Sequence, residues 1–104
     1  MLSRAADNLY WMARFLERAE NLARLADTNS QFLLDAGLSP DPRDSSGWQP
    51  ILQVTCLDED FERCAKDHAD LSILEFLTLS PLNTDSISKC VAMARENARM
   101  VRDQ

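Results

Sequence analysis

The first third of the chain contains no proline and no glycine, and this feature constrains the fold more than any other. Residues 3–35 run without either residue type, and Gly37 follows them where a left-handed residue commonly ends a helix. A single helix over these residues would be about 50 Å long. Since the chain of 104 residues holds only two glycines, tight hairpins are disfavoured throughout. We therefore predict a helical fold with an unusually long first helix.

The rest of the chain is divided by a loop and by proline-containing breaks. The stretch "GLSPDPRDSSG", residues 37–47, is typical of a surface loop. Asp58 is a candidate cap for a short segment, and Asp85 or Thr84 is a candidate cap for the last helix. The predicted helical segments after the loop are residues 48–57, 59–68, 69–79 and 86–104. We therefore predict one domain over residues 1–104, an all-α helical bundle with a long N-terminal helix, three shorter segments and a C-terminal amphipathic helix.

Charge and hydropathy exclude two classes of partner. The formal net charge is -6, and the middle third carries the acidic run "LDEDFE". Nucleic acids and anionic membranes bind clustered lysine and arginine, and the sequence has no such cluster. No apolar run approaches the roughly 18 residues of a membrane span, and "MLSRAADNLY" lacks the apolar region of a signal peptide. We expect a cytoplasmic protein that binds neither nucleic acid nor membrane.

The three cysteines and the single histidine give little support for catalysis or metal binding. Cys56, Cys64 and Cys90 form no CxxC pair, so we expect buried free thiols in a reducing compartment. The stretch "ERAE" lacks the histidine of a diiron motif, and His68 lies in no such motif. Cys64 and His68 are spaced i,i+4, but no orienting group or oxyanion pocket accompanies them. We predict no metal and no cofactor.

The first helix has apolar residues on two sides when the sequence is plotted at 100° per residue. Eight residues form a stripe with alternating spacings of three and four, which we predict to be core: Leu2, Ala5, Leu9, Met12, Leu16, Ala19, Ala23 and Ala26. A second apolar patch contains Trp11, Phe15, Leu22 and Leu25. A helix that is apolar on two sides is normally enclosed by other helices.

A row of charged residues runs beside the predicted core stripe. It consists of Glu17, Glu20, Arg24 and Asp27. One interpretation is a set of half-exposed i,i+3 and i,i+4 ion pairs. The other is a partly buried polar network, which would be a candidate functional site because unpaired buried charges are costly.

The last helix carries a possible partner for that row. Arg95, Arg99 and Arg102 flank its predicted core face, whereas Glu96 lies on the opposite flank and Asn97 borders the core. The planar guanidinium group binds carboxylates in bidentate fashion and stays charged when desolvated. We therefore predict that Glu17, Glu20 and Arg24 face inward and meet these arginines.

Two segments resemble a known bacterial family. "MLSRAADNLYWMARFLERAENLARL" and "SISKCVAMARENARMVRDQ" closely resemble the best-marked segments of the alpha-E family, which is named as a predicted alpha-helical domain with an ER motif. "WQPIL" and "SPLNTDSI" also look like family features, so the resemblance covers nearly the whole chain. Because family members are longer, the resemblance implies that residues 1–104 are the N-terminal part of a larger alpha-E domain.

The family motifs map onto the charged residues of both long helices. The ER motif corresponds to Glu17 and Arg18, followed by Glu20, Asn21 and Arg24. The later motif corresponds to Ala94, Arg95, Glu96, Asn97, Arg99, Arg102 and Asp103. With Asp27, the candidate ligand or polar-network residues are Glu17, Arg18, Glu20, Asn21, Arg24, Asp27, Arg95, Glu96, Asn97, Arg99 and Arg102. The sequence departs from the family at Cys64, where an aromatic residue is expected, and at Thr55-Cys56, where a glycine is common.

Two functional hypotheses remain open, and neither settles whether the protein is an enzyme. Alpha-E proteins are often encoded with, or fused to, circularly permuted ATP-grasp enzymes and transglutaminase-like proteins. The resemblance therefore implies a non-catalytic interaction or accessory domain in a system that makes or modifies peptide or amide bonds. The alternative is an enzyme or ligand-binding domain whose inward-facing Glu/Arg network holds a carboxylate or an amine. We also expect self-association, because uncovered Trp11, Phe15 and Leu22 would form an apolar patch.

Overall fold

The computed structural model describes residues 2–41 and 45–103, and within them the chain forms five helices and no strand. The helices are α1 (Leu2–Asp35), α2 (Ser45–Thr55), α3 (Asp58–Asp67), α4 (Ile73–Thr78) and α5 (Ile87–Arg102). The all-helical fold with a long first helix is confirmed. Among the described residues, no helix combines the length and the apolar character needed to cross a membrane.

The end of α1 has the hydrogen bonds of a Schellman motif. Gly37 has φ of 74°, its N–H donates to the Leu34 carbonyl at 3.1 Å, and the Leu38 N–H donates to the Leu33 carbonyl at 2.8 Å. Glycine adopts this left-handed conformation without steric cost because it has no Cβ atom. The predicted cap at Gly37 is confirmed, and α1 is continuous up to it.

The shorter helices differ from the predicted boundaries. α2 begins at Ser45, inside the predicted loop, of which residues 42–44 lie outside the described part of the chain. α3 begins at Asp58 itself, and α4 has only 6 residues, preceded by the cap Ser72. Ser86 caps α5, since its Oγ accepts a hydrogen bond from the Lys89 N–H at 3.2 Å. The cap predicted at Asp85 or Thr84 was wrong.

α5 runs antiparallel along the N-terminal half of α1. Met100 and Asp103, at the end of α5, line a groove with Arg4 and Asn8, whereas the start of α5 lies near Arg18. The residues of α1 that are buried or half-buried along one stripe are Ala5, Asn8, Met12, Phe15, Ala19, Leu22, Ala26, Asn29 and Leu33. Those of α5 are Ile87, Cys90, Ala94, Asn97 and Val101.

The buried stripe of α1 is rotated from the predicted one. The two stripes share four residues, but Leu9 and Leu16 are 46% and 47% exposed, whereas Leu22 is 7% exposed. Phe15 and Leu22, which we assigned to the second patch, belong to the buried stripe. The reason is tertiary: Leu22 and Leu33 insert into the core formed with α2 and α4, and this contact fixes the rotation of α1.

The core lies against the C-terminal half of α1. Its buried members are Leu22, Leu33, Trp48, Ile51, Leu52, Leu57, Ile73, Phe76 and Leu77. α2 can approach α1 closely because Gly47 lacks a side chain; a Cβ atom there would lie 3.1 Å from Leu33 Cδ1. The Asn29 Nδ2 group also donates a hydrogen bond to the Gly47 carbonyl at 3.1 Å. These contacts join the small helices to one half of α1, and α5 covers the other half.

Candidate functional site

A cleft of about 300 Å³ lies between three parts of the chain. They are α1, the turn that connects α2 to α3, and Asp85, which precedes the cap of α5. We call it the junction cleft. It is lined by Arg14, Glu17, Arg18, Asn21, Leu22, Leu25, Thr55, Leu57 and Asp85. It therefore combines charged groups of both signs with an apolar wall.

The α1 wall of the cleft follows from helical periodicity. Arg14, Arg18, Asn21 and Leu25 are spaced by four, three and four residues, which places them on one side of α1. Arg18 also lies over the ring of Phe15, with the guanidinium carbon 5.7 Å from the ring centroid. This cation–π contact restrains the arginine at the edge of the cleft.

The opposite wall is the turn that ends α2. The Leu57 N–H donates to the Leu52 carbonyl at 2.9 Å and the Cys56 N–H to the Gln53 carbonyl at 3.2 Å, as in the turn after α1. Here, however, the left-handed residue is Cys56, with φ of 60°. A side chain in this conformation costs about 1 kcal/mol relative to glycine. The Schellman turn thus places Thr55 and Leu57 against the cleft at a local conformational cost.

Asp85 is positioned by buried polar residues between α4 and α5. The side chain of Asn83, 4% exposed, donates to the Phe76 carbonyl at 3.0 Å and accepts from the Asp85 N–H at 3.0 Å. Ser86, which is fully buried, begins the capping of α5 immediately afterwards. Both side-chain groups of Asn83 are therefore satisfied, and they fix the backbone of Asp85 relative to the core.

Two ion pairs give the cleft a balanced charge. Arg18 Nη1 lies 3.2 Å from Asp85 Oδ1, and Arg14 Nη1 lies 3.9 Å from Glu17 Oε1. The four side chains are between 42% and 61% exposed, so each pair stabilises the fold by only a few tenths of a kcal/mol. The four charged groups are therefore accessible to a ligand and not buried in the core.

The inward-facing network predicted between α1 and α5 is not formed. Glu20 and Arg24 pair with each other along α1, and their side chains are 59% and 75% exposed. Arg99 lies 4.0 Å from Glu96, and Arg102 pairs with Asp103. Because Phe15 and Leu22 turn inward, the charged row turns toward solvent. The interpretation as exposed ion pairs along each helix is the one the structure supports.

The structure divides the predicted site residues into three groups. Glu17, Arg18 and Asn21 line the junction cleft. Three others lie along the solvent-facing row of α1: Glu20, Arg24 and Asp27. The remaining residues lie on α5, away from the cleft lining, and all are exposed except half-buried Asn97: Arg95, Glu96, Asn97, Arg99 and Arg102.

Three polar residues of the cleft were not predicted as site residues. Arg14 precedes Arg18 by four residues, so the sequence could have predicted that Arg14 lies on the same side of α1 as Arg18. Thr55 and Asp85 come from distant parts of the chain, and only tertiary packing brings them to α1. Asp85 was considered only as a helix cap.

The cysteines are free, and only one of them is buried. Cys56 is exposed, Cys64 is half-buried and Cys90 is 1% exposed, so the expectation of buried thiols is confirmed for Cys90, holds only in part for Cys64 and was wrong for Cys56. Burial raises the pKa of the Cys90 thiol, the charge of Arg18 opposes this increase, and Asp85 adds to it. Within residues 2–41 and 45–103, no three His, Cys, Asp or Glu side chains are grouped to hold a metal ion.

The comparisons with known proteins identify a family but no individual relative. The model of the Alpha-E family, described as a predicted alpha-helical domain with a conserved ER motif, matches residues 1–104, the whole chain. The chain has no significant match among curated proteins or among solved structures. The resemblance described above maps the ER motif onto Glu17 and Arg18, and both side chains line the junction cleft.

Proposed function

Because the chain belongs to the Alpha-E family, we propose that it is a non-catalytic helical interaction domain of an ATP-grasp-associated system that makes or modifies peptide or amide bonds. The observation that carries this proposal is an exposed apolar surface on the pair of helices α1 and α5. The association with ATP-grasp enzymes is supported by the sequence resemblance alone. A cytoplasmic location is part of the same proposal, since free cysteines fit a reducing compartment.

The surface comprises Tyr10, Trp11, Met93 and Met100, and we call it the aromatic face. These side chains are 56%, 44%, 44% and 49% exposed, respectively. Met100 shares a groove with Arg4. On α1, Trp11 follows Arg4 by seven residues, and on α5, Met93 precedes Met100 by seven. Seven residues are about two helical turns, so Trp11 and Met93 lie on the same side of the helix pair as that groove.

The composition of the aromatic face is typical of binding surfaces. Tyrosine, tryptophan, methionine and arginine are enriched in protein interfaces, and tryptophan is frequent among the residues that dominate binding energy. Methionine adapts its shape to an irregular partner because its side chain is unbranched and flexible. Leu9, Leu16 and Val91 are also exposed, but they lie away from this side of the helix pair.

Trp11 is held in place by its aromatic neighbours. Its ring centroid lies 5.4 Å from that of Tyr10, edge to face, and 6.0 Å from that of Phe15. A side chain that is already ordered loses little conformational entropy on binding. The aromatic face therefore presents a prearranged anchor rather than a mobile one.

The dimensions of the molecule agree with an uncovered surface. The accessible area is 7199 Å², whereas a compact monomer of 11.8 kDa has about 5,900 Å². The excess of about 1,300 Å² exceeds the roughly 800 Å² that each partner contributes to a standard interface. α1 and α5 contact each other along one stripe each, so both sides of this helix pair stay accessible and contribute to the excess.

The test is binding to a circularly permuted ATP-grasp protein, the class of partner that the family resemblance implies. Isothermal titration calorimetry should detect an interaction with the parent chain, and Trp11→Ala should weaken it by about tenfold or more, because truncation removes the anchor. Phe32→Ala is the matched control. Phe32 is 64% exposed near the other end of α1, outside the aromatic face, so its removal should leave the affinity unchanged.

Two results would count against the docking proposal. One is the absence of binding to both classes of partner that the family resemblance implies, circularly permuted ATP-grasp proteins and transglutaminase-like proteins. The other is equal weakening by Trp11→Ala and Phe32→Ala, because this would show that the aromatic face has no special part in the interaction.

A second candidate function is supported by the junction cleft. An enzyme or ligand-binding domain would hold a carboxylate or an amine with glutamate and arginine, and Glu17 and Arg18 line an accessible cleft together with Asn21. The inward-facing network predicted between α1 and α5 is not formed and therefore cannot hold the ligand. The cleft alone carries this alternative.

A further inference from the structure

We propose that the junction cleft is a binding site for a small zwitterion, namely a free amino acid with an aliphatic side chain or a short peptide of that kind. The proposal deepens the second candidate function and is independent of docking through the aromatic face. In the bound state, the ligand carboxylate faces Arg18 and Arg14, its ammonium group faces Asp85 and Glu17, and its side chain contacts the leucines of the cleft.

The two arginines form the anion-binding side. Arg14 and Arg18 are one helical turn apart on α1, a separation at which both guanidinium groups can reach one carboxylate. Arg18 contacts Asp85 through Nη1, and the guanidinium group carries further donors on Nη2 and Nε. A ligand carboxylate can therefore bind Arg18 without breaking its contact with Asp85.

Asp85, Glu17 and Thr55 form the cation-binding side. Both carboxylates are hydrogen-bond acceptors when ionised, and an ammonium group has three donors to offer them. The Thr55 hydroxyl donates to the Ile51 carbonyl at 2.8 Å, so toward the cleft its oxygen can only accept. All three residues therefore suit a donor such as an amine.

The balance of charge selects against other ligands. Two arginines and two carboxylates line the cleft, so the two carboxylates would repel a phosphate or a dicarboxylate. A polyamine or another dication would meet two arginines. A zwitterion presents one charge of each sign and satisfies both sides at once.

Size and polarity indicate an aliphatic ligand of few atoms. The cleft volume of about 300 Å³ is at the lower limit of small-molecule sites. Leu22, Leu25 and Leu57 supply an apolar wall for a side chain of four or so carbons.

The test compares leucine with two derivatives that each lack one charge. Leucine is titrated into the ¹⁵N-labelled full chain at neutral pH, with N-acetyl-leucine, which lacks the ammonium group, and leucinamide, which lacks the carboxylate. We expect leucine to shift the backbone amide signals of Arg18, Asn21 and Leu57. Each derivative should bind about fivefold or more weakly, because a charged group of the cleft is then left unpaired.

Variants assign each side of the cleft. Arg18→Gln should abolish the preference for leucine over leucinamide, and Asp85→Asn should reduce the preference for leucine over N-acetyl-leucine. Arg24→Gln is the matched control, because Arg24 forms a similarly exposed ion pair on the solvent-facing row of α1. It should change neither preference. Circular dichroism of each variant establishes that the fold is retained.

Three results would overturn the zwitterion site. The first is the absence of amide shifts at about 20 mM leucine, a concentration that would nearly saturate a site with a dissociation constant of about 1 mM. The others are equal affinity for all three compounds and identical effects of Arg18→Gln and Arg24→Gln. Retained binding of the ATP-grasp protein under any of these outcomes would leave the docking proposal standing. Loss of that binding with an intact leucine site would contradict the docking proposal and leave the zwitterion site standing.

Discussion

Two single residues, Gly37 and Cys56, occupy the same backbone conformation at the ends of two helices. Both have positive φ, and both belong to Schellman motifs with the same pattern of hydrogen bonds. Glycine, as at Gly37, is the residue that favours this conformation, whereas the Cβ atom of Cys56 makes the same conformation sterically unfavourable. The turn at Cys56 also forms one wall of the junction cleft.

We predict that Cys56→Gly stabilises the protein and that Gly37→Ala destabilises it. The free energy of unfolding should rise by about 0.5 to 1 kcal/mol in the first variant and fall by about 1 kcal/mol in the second. Urea denaturation monitored by circular dichroism measures both. Cys56→Ala is the control, because alanine keeps the Cβ atom and should give no such gain. Equal stabilisation by alanine and glycine would show that the backbone conformation is not the cause.

At the scale of the helices, local signals in the sequence were sufficient for the extent of α1 but not for its rotation. The lack of breakers and the position of Gly37 depend on neighbouring residues only, so both predictions were correct. The predicted and observed stripes share Ala5, Met12, Ala19 and Ala26, and the sequence alone did not show which adjoining residues would be buried. The contacts of Leu22 and Leu33 with α2 and α4 decide this.

The same limit applied to the candidate site. Glu17 was identified in the charged row of the first helix and Arg18 and Asn21 through the family motif, and all three line the cleft. Thr55 and Asp85 were missed as site residues, because they reach the cleft only after α2 and α5 have packed. Periodicity within one helix cannot reveal a partner that is supplied by another part of the chain.

Two leucines on α1 test the observed rotation. Leu22→Ala should lower the free energy of unfolding by about 2 to 4 kcal/mol, because Leu22 is buried in the core. Leu16→Ala should cost less than about 1 kcal/mol, because this side chain is 47% exposed. Chemical denaturation of the two variants measures the difference. If Leu16→Ala were the more damaging substitution, the stripe first predicted from the sequence would be the correct one.

At the scale of the whole molecule, the chain is elongated and incompletely covered. Its radius of gyration is 16.1 Å, compared with about 13 Å for a compact chain of this length. The small helices pack against the C-terminal half of α1, and the N-terminal half is covered by α5 on one side only. The aromatic face lies on this thinner half of the molecule.

We predict that the isolated chain self-associates through the aromatic face. A second copy would remove Trp11, Met93 and Met100 from water, whereas Phe15 and Leu22 are already covered within the monomer and contribute little. Light scattering at about 100 µM, in the micromolar affinity range, should show dimers in the parent chain and a larger monomer fraction in Trp11→Ala. Phe32→Ala should resemble the parent. A monodisperse parent monomer at this concentration would contradict the prediction.

The central claim is that this chain acts by docking to an ATP-grasp enzyme and not by catalysing the reaction itself. The most direct measurement is ATP-dependent amide formation by the purified ATP-grasp protein, followed with no added chain, with the parent chain, with Trp11→Ala and with Phe32→Ala. Relative to the reaction without added chain, we expect the parent chain and Phe32→Ala to increase product formation. Trp11→Ala should leave it close to the level without added chain. Amide formation by this chain without the enzyme, or full stimulation by Trp11→Ala, would contradict the claim.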